Sequence, residues 1–200
     1  MKKTIALLVI ITSGFAGSTC FAQKSSFFIE EQNIYNHEVG KITPQAFFWL
    51  SHDATTHWGM FGFAMANNSW GEIYAGPKYT AYIKHGILEF GVGVGFESSK
   101  NNGLRNAAYI FGETRKNEQP VKSKNQFMIY GEHGPSGPWA FVYYTYGVTK
   151  HLSVGLHTQR FSATGPRIQF DYKSFMLYVI PGIDIETGDP TGHLGLRLYF

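Results

Sequence analysis

Residues 87–97 read ILEFGVGVGFE. Successive side chains of a strand point to opposite faces. Leu88, Phe90, Val92, Val94 and Phe96 therefore share one face, and Glu89, Gly91, Gly93, Gly95 and Glu97 share the other. The preceding stretch EIYAGPKYTAYIK (72–84) alternates in the same sense, with Ile73, Ala75, Tyr79, Ala81 and Ile83 set against Glu72, Lys78, Tyr82 and Lys84. His85-Gly86 between them predicts a tight hairpin. A two-residue turn there pairs Ile83 with Leu88, Ala81 with Phe90, Tyr79 with Val92, Tyr82 with Glu89 and Lys78 with Gly93. Like meets like, and a one-residue slip would destroy the match.

The pattern extends along the chain. YYTYGVTKHLSVGLHT (143–158) predicts a turn at Thr149-Lys150-His151, with Tyr146 facing Val154, Tyr144 facing Leu156 and Tyr143 facing His157. IQFDYKSFMLYV (168–179) turns at Lys173-Ser174, placing Phe170 opposite Leu177 and Ile168 opposite Val179. ATTHWG (54–59) echoes VTKHLS (148–153), which predicts a further turn near Thr55-Thr56. The count is about twelve strands, near 26–35, 41–50, 58–66, 72–84, 87–97, 104–114, 125–132, 138–148, 152–161, 165–172, 175–185 and 193–200. Pro44, Pro77, Pro138, Pro166 and Pro190 fall at or near the starts of even-numbered strands, where a missing N–H is tolerated. The charged segment RKNEQPVKSKN (115–125) is long for one of the short turns. A miscount there gives ten strands, and merging weak pairs gives eight.

The beginning of the chain bears on location. MKKTIALLVIITSGFAGSTCFAQ has a basic start, an apolar run from Ile5 to Ile11, and small residues toward Ala22. This is the layout of a secretory signal peptide over 1–22, cut before Gln23. Lipidation at Cys20 is the weaker reading, because Gly17, Ser18 and Thr19 lack a large aliphatic residue. Without residues 1–22 the chain has no thiol and 15 basic against 14 acidic residues, from totals of 17 and 14 less Lys2 and Lys3. That balance gives no basic surface for nucleic acid. Residues 23–200 suit one domain.

Alternating antiparallel strands form either a soluble sandwich or barrel, apolar inside, or a membrane barrel, apolar outside. Charges and glycines share faces in Glu89-Gly91-Gly93-Gly95-Glu97, Arg167-Gln169-Asp171 and Gly182-Asp184, which favours the inverted sense. Strands of 8–13 residues also suit a tilted crossing. The fold expected is an all-β, antiparallel up-and-down transmembrane β-barrel. Trp49, Trp58, Trp70 and Trp139 lie near predicted strand ends, where an interfacial aromatic belt belongs, or else pack in the core or loops. The closing LGLRLYF (194–200) resembles the C-terminal signal of Gram-negative outer-membrane β-barrel proteins. Phe200 matches its terminal aromatic, Leu196 and Leu198 its alternating apolar positions, and Arg197 and Tyr199 the intervening face. The resemblance implies insertion by the barrel-assembly machinery into the cell outer membrane, against lipid and lipopolysaccharide. Lipid then covers one face, and the first strand pairs the last.

The expected function is a passive, porin-like channel for small solutes. Its lumen candidates are Glu72, Lys78, Lys84, Glu89, Glu97, His157, Arg167, Asp171, Asp184 and Arg197. In size and strand count the chain resembles compact monomeric oligosaccharide porins such as the acidic-sugar channels. That resemblance implies an excess of basic lumen residues, whereas this set is mixed. Opposed charges can pair across a narrow lumen and close it, so a structural or interaction barrel with a closed lumen is the alternative. A lipid-modifying enzyme is the weaker one. EHGPSGPW places His133 three residues before Ser136, and GLHTQRF offers His157 and Thr158, but no nucleophile, base and orienting group assemble. His133 reads as a loop residue, and His157 as an interior hydrogen-bonding residue. The dispersed histidines give no metal spacing, the 91–95 glycines form no phosphate loop, and no cofactor is expected. Those glycines make interior room, or let aromatics such as Tyr82 lie over bare backbone.

Overall fold

The computed structural model describes residues 24–38, 40–98, 103–114 and 125–200. The signal-peptide reading of 1–22 and all of RKNEQPVKSKN except Asn125 lie outside the described residues. Twelve strands run in order: β1 Lys24–Asn36, β2 Lys41–Asp53, β3 Trp58–Asn67, β4 Gly71–Ile83, β5 Gly86–Ser98, β6 Gly103–Thr114, β7 Asn125–Gly134, β8 Gly137–Gly147, β9 Leu152–Gln159, β10 Gly165–Tyr172, β11 Phe175–Ile183 and β12 Pro190–Tyr199. Each pairs antiparallel with its sequence neighbours, and β1 closes on β12 with Phe28 opposite Tyr199 and Glu30 opposite Arg197. The count of twelve holds, and ten and eight do not. Lys24 and Phe200 share one end, called the terminal end. It also carries the turns at 54–57, 84–85, 148–151 and 173–174.

The β8–β9 and β10–β11 hairpins have the register expected from alternation: Tyr146 opposite Val154, Tyr143 opposite His157, and Phe170 opposite Leu177. The β4–β5 hairpin differs. Its turn is Lys84-His85, and Tyr79 faces Phe90, Ala81 faces Leu88 and Lys78 faces Gly91. This is a two-residue shift from the expected register. Every side chain keeps its face under such a shift, so alternation cannot distinguish the two. Pro77 is a second correction, since it lies mid-strand in β4. The β4–β5 ladder skips Gly76 and Pro77 there, because proline has no N–H to donate. Pro181 has the same effect: β10–β11 pairing runs from Phe175 to Val179 and resumes only at the Thr164–Ile183 bridge.

The echo between 54–59 and 148–153 is one turn built twice. Thr55 Oγ1 accepts from the His57 and Trp58 amides, and Thr149 Oγ1 from the His151 and Leu152 amides. Each histidine Nδ1 lies 2.8 Å from a carbonyl of the adjoining strand, at Thr80 or Asp171. Each ring also packs on that strand's aromatics, Tyr79 or Tyr172. The two turns are six strands apart, on opposite sides of the barrel.

Apolar side chains face outward, in the inverted sense. Phe90, Val92, Val94 and Phe96 are exposed, while Gly91, Gly95 and Glu97 on the alternate face are buried. Trp58, Tyr79, Tyr144, Tyr146 and Tyr172 form an exposed outer girdle near the terminal end. Of the four tryptophans only Trp58 belongs to it. Trp139 is buried, and Trp49 and Trp70 pack against the interior aromatic cluster, because the inward parity of 49 and 139 turns those rings into the barrel. The glycine run also differs from expectation. A Cβ on Gly91 would lie 2.1 Å from the Tyr109 ring, and one on Gly93 2.8 Å from the Phe61 ring. Tyr109 and Phe61, rather than Tyr82, occupy the space over the bare backbone.

Val92 is 60% exposed on the outer face. Val92→Arg should destabilise the barrel by about 2–4 kcal/mol if the residue meets the bilayer midplane, measured by urea unfolding in lipid vesicles. Spin labels at 90, 92 and 94 should be accessible to lipid-soluble quenchers. Water accessibility at those three positions would reverse the assignment of faces. Gly93→Ser should also be costly, because its side chain meets Phe61.

Candidate functional site

The barrel interior is divided along its axis. A cavity of about 390 Å³ occupies the half toward the terminal end and reaches Gln159 and Arg167; its wall includes Lys78, Glu89, His157 and Arg197. Beyond it, rings fill the lumen: Phe47, Phe61, Phe63, Tyr74, Tyr109, Tyr130 and Trp139 form one buried cluster. Inward residues nearer the opposite end, including Glu72, Glu97, Arg105, Glu132, Ser162 and His193, are also buried. The β9–β10 turn helps close that end by folding Ser162 and Ala163 inside, where Ser162 Oγ lies 3.2 Å from His193 Nδ1.

Strand parity brings three charged groups inward. Beside the β1–β12 seam, Arg197 pairs with Glu30 and lies 3.9 Å over the Phe28 ring. Glu30 also accepts from Gln32 Nε2 and the Tyr178 hydroxyl, each at 2.5 Å. Arg167 stacks 3.7 Å over Tyr178 and donates from Nε to Gln169 Oε1 at 3.1 Å; Gln169 then donates to Asp171 at 3.0 Å. His157 Nδ1 lies 3.4 Å from Arg167 Nη1. Across the cavity, Lys78 Nζ pairs with Asp53 at 2.7 Å and Glu89 at 2.8 Å, and the Tyr109 hydroxyl donates to Glu89 at 2.7 Å.

The third group lies in the packed half. Arg105 pairs with Glu97, with Glu132 at 3.0 Å and with Glu72 at 3.6 Å. Tyr74 and Tyr130 donate to Glu72 and Glu132, each at 3.1 Å. The Ser136 amide in the β7–β8 turn donates to Glu97 at 2.9 Å, tying that turn to the cluster. Three buried carboxylates thus share one guanidinium. Such carboxylates carry a large desolvation cost unless they are paired or protonated.

Lys78, Glu89, His157, Arg167 and Arg197 from the sequence set meet at the cavity, whereas Glu72 and Glu97 belong to the Arg105 cluster. Asp171 is buried behind Gln169. Lys84 and Asp184 lie in turns at the two ends rather than on strands. Glu30, Arg105 and Glu132 are interior charges outside the sequence set, although alternation along β1, β6 and β7 turns all three inward. His133 is in β7 rather than in a loop and faces outward beside Asn106. Ser136 binds Glu97 and Arg105 instead of a histidine. Among the described residues no three His, Cys, Asp or Glu side chains are grouped as metal ligands.

No protein-family model matches the chain, and no curated protein matches it. Among solved structures, a KdgM porin superposes with TM-score 0.55 at 12% identity, over 86% of this chain and 99% of that one. A mutant of the Rh. blastica porin gives TM-score 0.36 at 7% identity, over 89% and 100% of the two chains, a likeness too loose to carry an argument. The KdgM porin shows that this chain has a porin-like fold. At that identity it shows the fold alone.

Arg197→Met removes the cation paired with buried Glu30, which should cost about 3–5 kcal/mol. The double variant Arg197→Met/Glu30→Gln should recover most of that loss. Glu72→Gln removes one of three carboxylates crowded around a single guanidinium at constant shape and should raise stability by about 1 kcal/mol. Urea midpoints of the three variants in vesicles check these signs.

Proposed function

We propose that this chain is an outer-membrane barrel that passes small solutes passively through a mixed-charge lumen. The observation that carries the reading is the inverted patterning: apolar side chains outside, and a cavity walled by both signs of charge inside. Bilayer lipid and lipopolysaccharide are the environment proposed for the outer face. A signal peptide over 1–22 and insertion by the barrel-assembly machinery complete the proposal. With Lys78 held by two carboxylates and Arg197 by one, the lumen favours weak ion selectivity. The burial of inward residues beyond the cavity supports a second reading, a barrel closed at the end opposite the termini. Passage then requires the Arg105 cluster and its aromatic neighbours to move.

Planar-bilayer recording separates the two readings. The channel predicts stable conductance with a small reversal potential in a salt gradient, shifted toward cation selectivity in Lys78→Gln. Silence from a folded barrel supports the closed form.

Phe200 tests the assembly signal. Its ring stacks on Phe27 at 4.7 Å and its amide donates to Phe27 O at 2.9 Å. Partial burial of one ring is worth about 1–2 kcal/mol, which a closed barrel survives. Deleting Phe200 should therefore reduce outer-membrane yield in cells while leaving refolding into micelles intact, read as heat-modifiable gel mobility. Normal yield with failed refolding would make Phe200 a packing residue instead.

A further inference from the structure

Among the outward-facing strand positions of the described residues, one carries Asp, Glu, Lys or Arg: Glu31 on β1. It is exposed, and lies four residues along the strand from exposed Tyr35. At about 3.3 Å per residue and a tilt near 40°, this places it about 10 Å below that ring. Phe27 and Ile29 face outward on its other side. Its described hydrogen-bond partner is the neighbouring outward residue, Asn33, whose Nδ2 donates to Oε1 at 3.2 Å. A carboxylate within the hydrocarbon layer is costly even when it takes up a proton, and marks a functional surface until a partner accounts for it.

The surroundings are asymmetric. Across the ladder, the outward row through Glu31 reads Leu177, Leu196, Glu31, Ala46, Ala66, Gly71. Bulk thus falls away on the β2–β4 side to leave a shallow shelf, with Glu31 at its edge. Small side chains let two backbones approach closely in a membrane, and polar groups beside them pair across the contact.

We propose that this β1–β3 face is an interface with a second copy of the chain. Glu31 supplies acceptors and Asn33 supplies amide donors, so the pair is self-complementary. A two-fold axis along the membrane normal holds both copies at one depth, as identical insertion requires, and gives a closed dimer. Each Glu31 then reaches the partner's Asn33 amide, and Ala46 on the adjoining strand lies beside the axis, where the barrels come closest. The proposal rests on the membrane reading of the outer face.

The mature sequence expected here has no cysteine, so single cysteines report the contact. Asn33→Cys and Ala46→Cys should give disulfide-linked dimers in outer-membrane fractions under mild oxidation. Val142→Cys, outward on β8 on the opposite side, should remain monomeric. Fluorescence energy transfer between labelled barrels in phosphatidylcholine vesicles should show Glu31→Leu dimerising about tenfold more weakly, the loss of the two symmetry-related polar pairings. That variant should still show heat-modifiable mobility. Crosslinking no stronger than Val142→Cys in a membrane-inserted barrel overturns the interface, as does unchanged association of Glu31→Leu. Wild-type chain recovered as a soluble monomer overturns the membrane reading and the interface together.

Discussion

Closure of β1 on β12 is the constraint on which the rest of this structure depends. A strand without a neighbour leaves a row of unpaired N–H and C=O groups that must find a partner. The pairing of Phe27–Phe200 through Asn36–Thr191 removes that edge. It also brings Glu30 to Arg197, 167 residues apart in the sequence. The seam is therefore both the topological lock and the origin of one of the interior charge clusters.

Inverting the faces sets a second problem, which the interior solves unevenly. Polar side chains turned into the barrel must find water or one another. Toward the terminal end they find a cavity, where Lys78, Glu89, Arg167 and Arg197 stand in its wall. Toward the other end they find one another and a packed set of rings. Glycines 91 and 93 make that packing possible, since the Tyr109 and Phe61 rings lie where their Cβ atoms would be. The result is half a lumen and half a core, so a channel reading must include movement of the core. The Arg105 cluster is the least balanced part of it, with three carboxylates around one guanidinium.

Much of the fold was legible because the strand period is short and local. Twelve strands, their facing and two of three hairpin registers followed from alternation and turn residues. The β4–β5 register did not, because a two-residue shift leaves both faces unchanged and only the break at Pro77 and the Lys84-His85 turn mark it. The site was less legible. Parity placed Glu72 and Glu97 inside but could not say that they share Arg105 with Glu132. The same parity placed Trp49 and Trp139 inward, a consequence hidden by their positions near predicted strand ends.

The sequence by itself determined an all-β chain of about twelve strands, with ten and eight left open, and which residues face out. These depend on neighbours one or two residues away and on a single hairpin turn. Only the tertiary structure decided how far the cavity extends, which charges neutralise one another, and that Glu31 stands in one row with Ala46 and Ala66. Those are distances across or around a closed barrel. Such distances are set by ring packing and strand register between segments remote in sequence, which alternation alone does not encode.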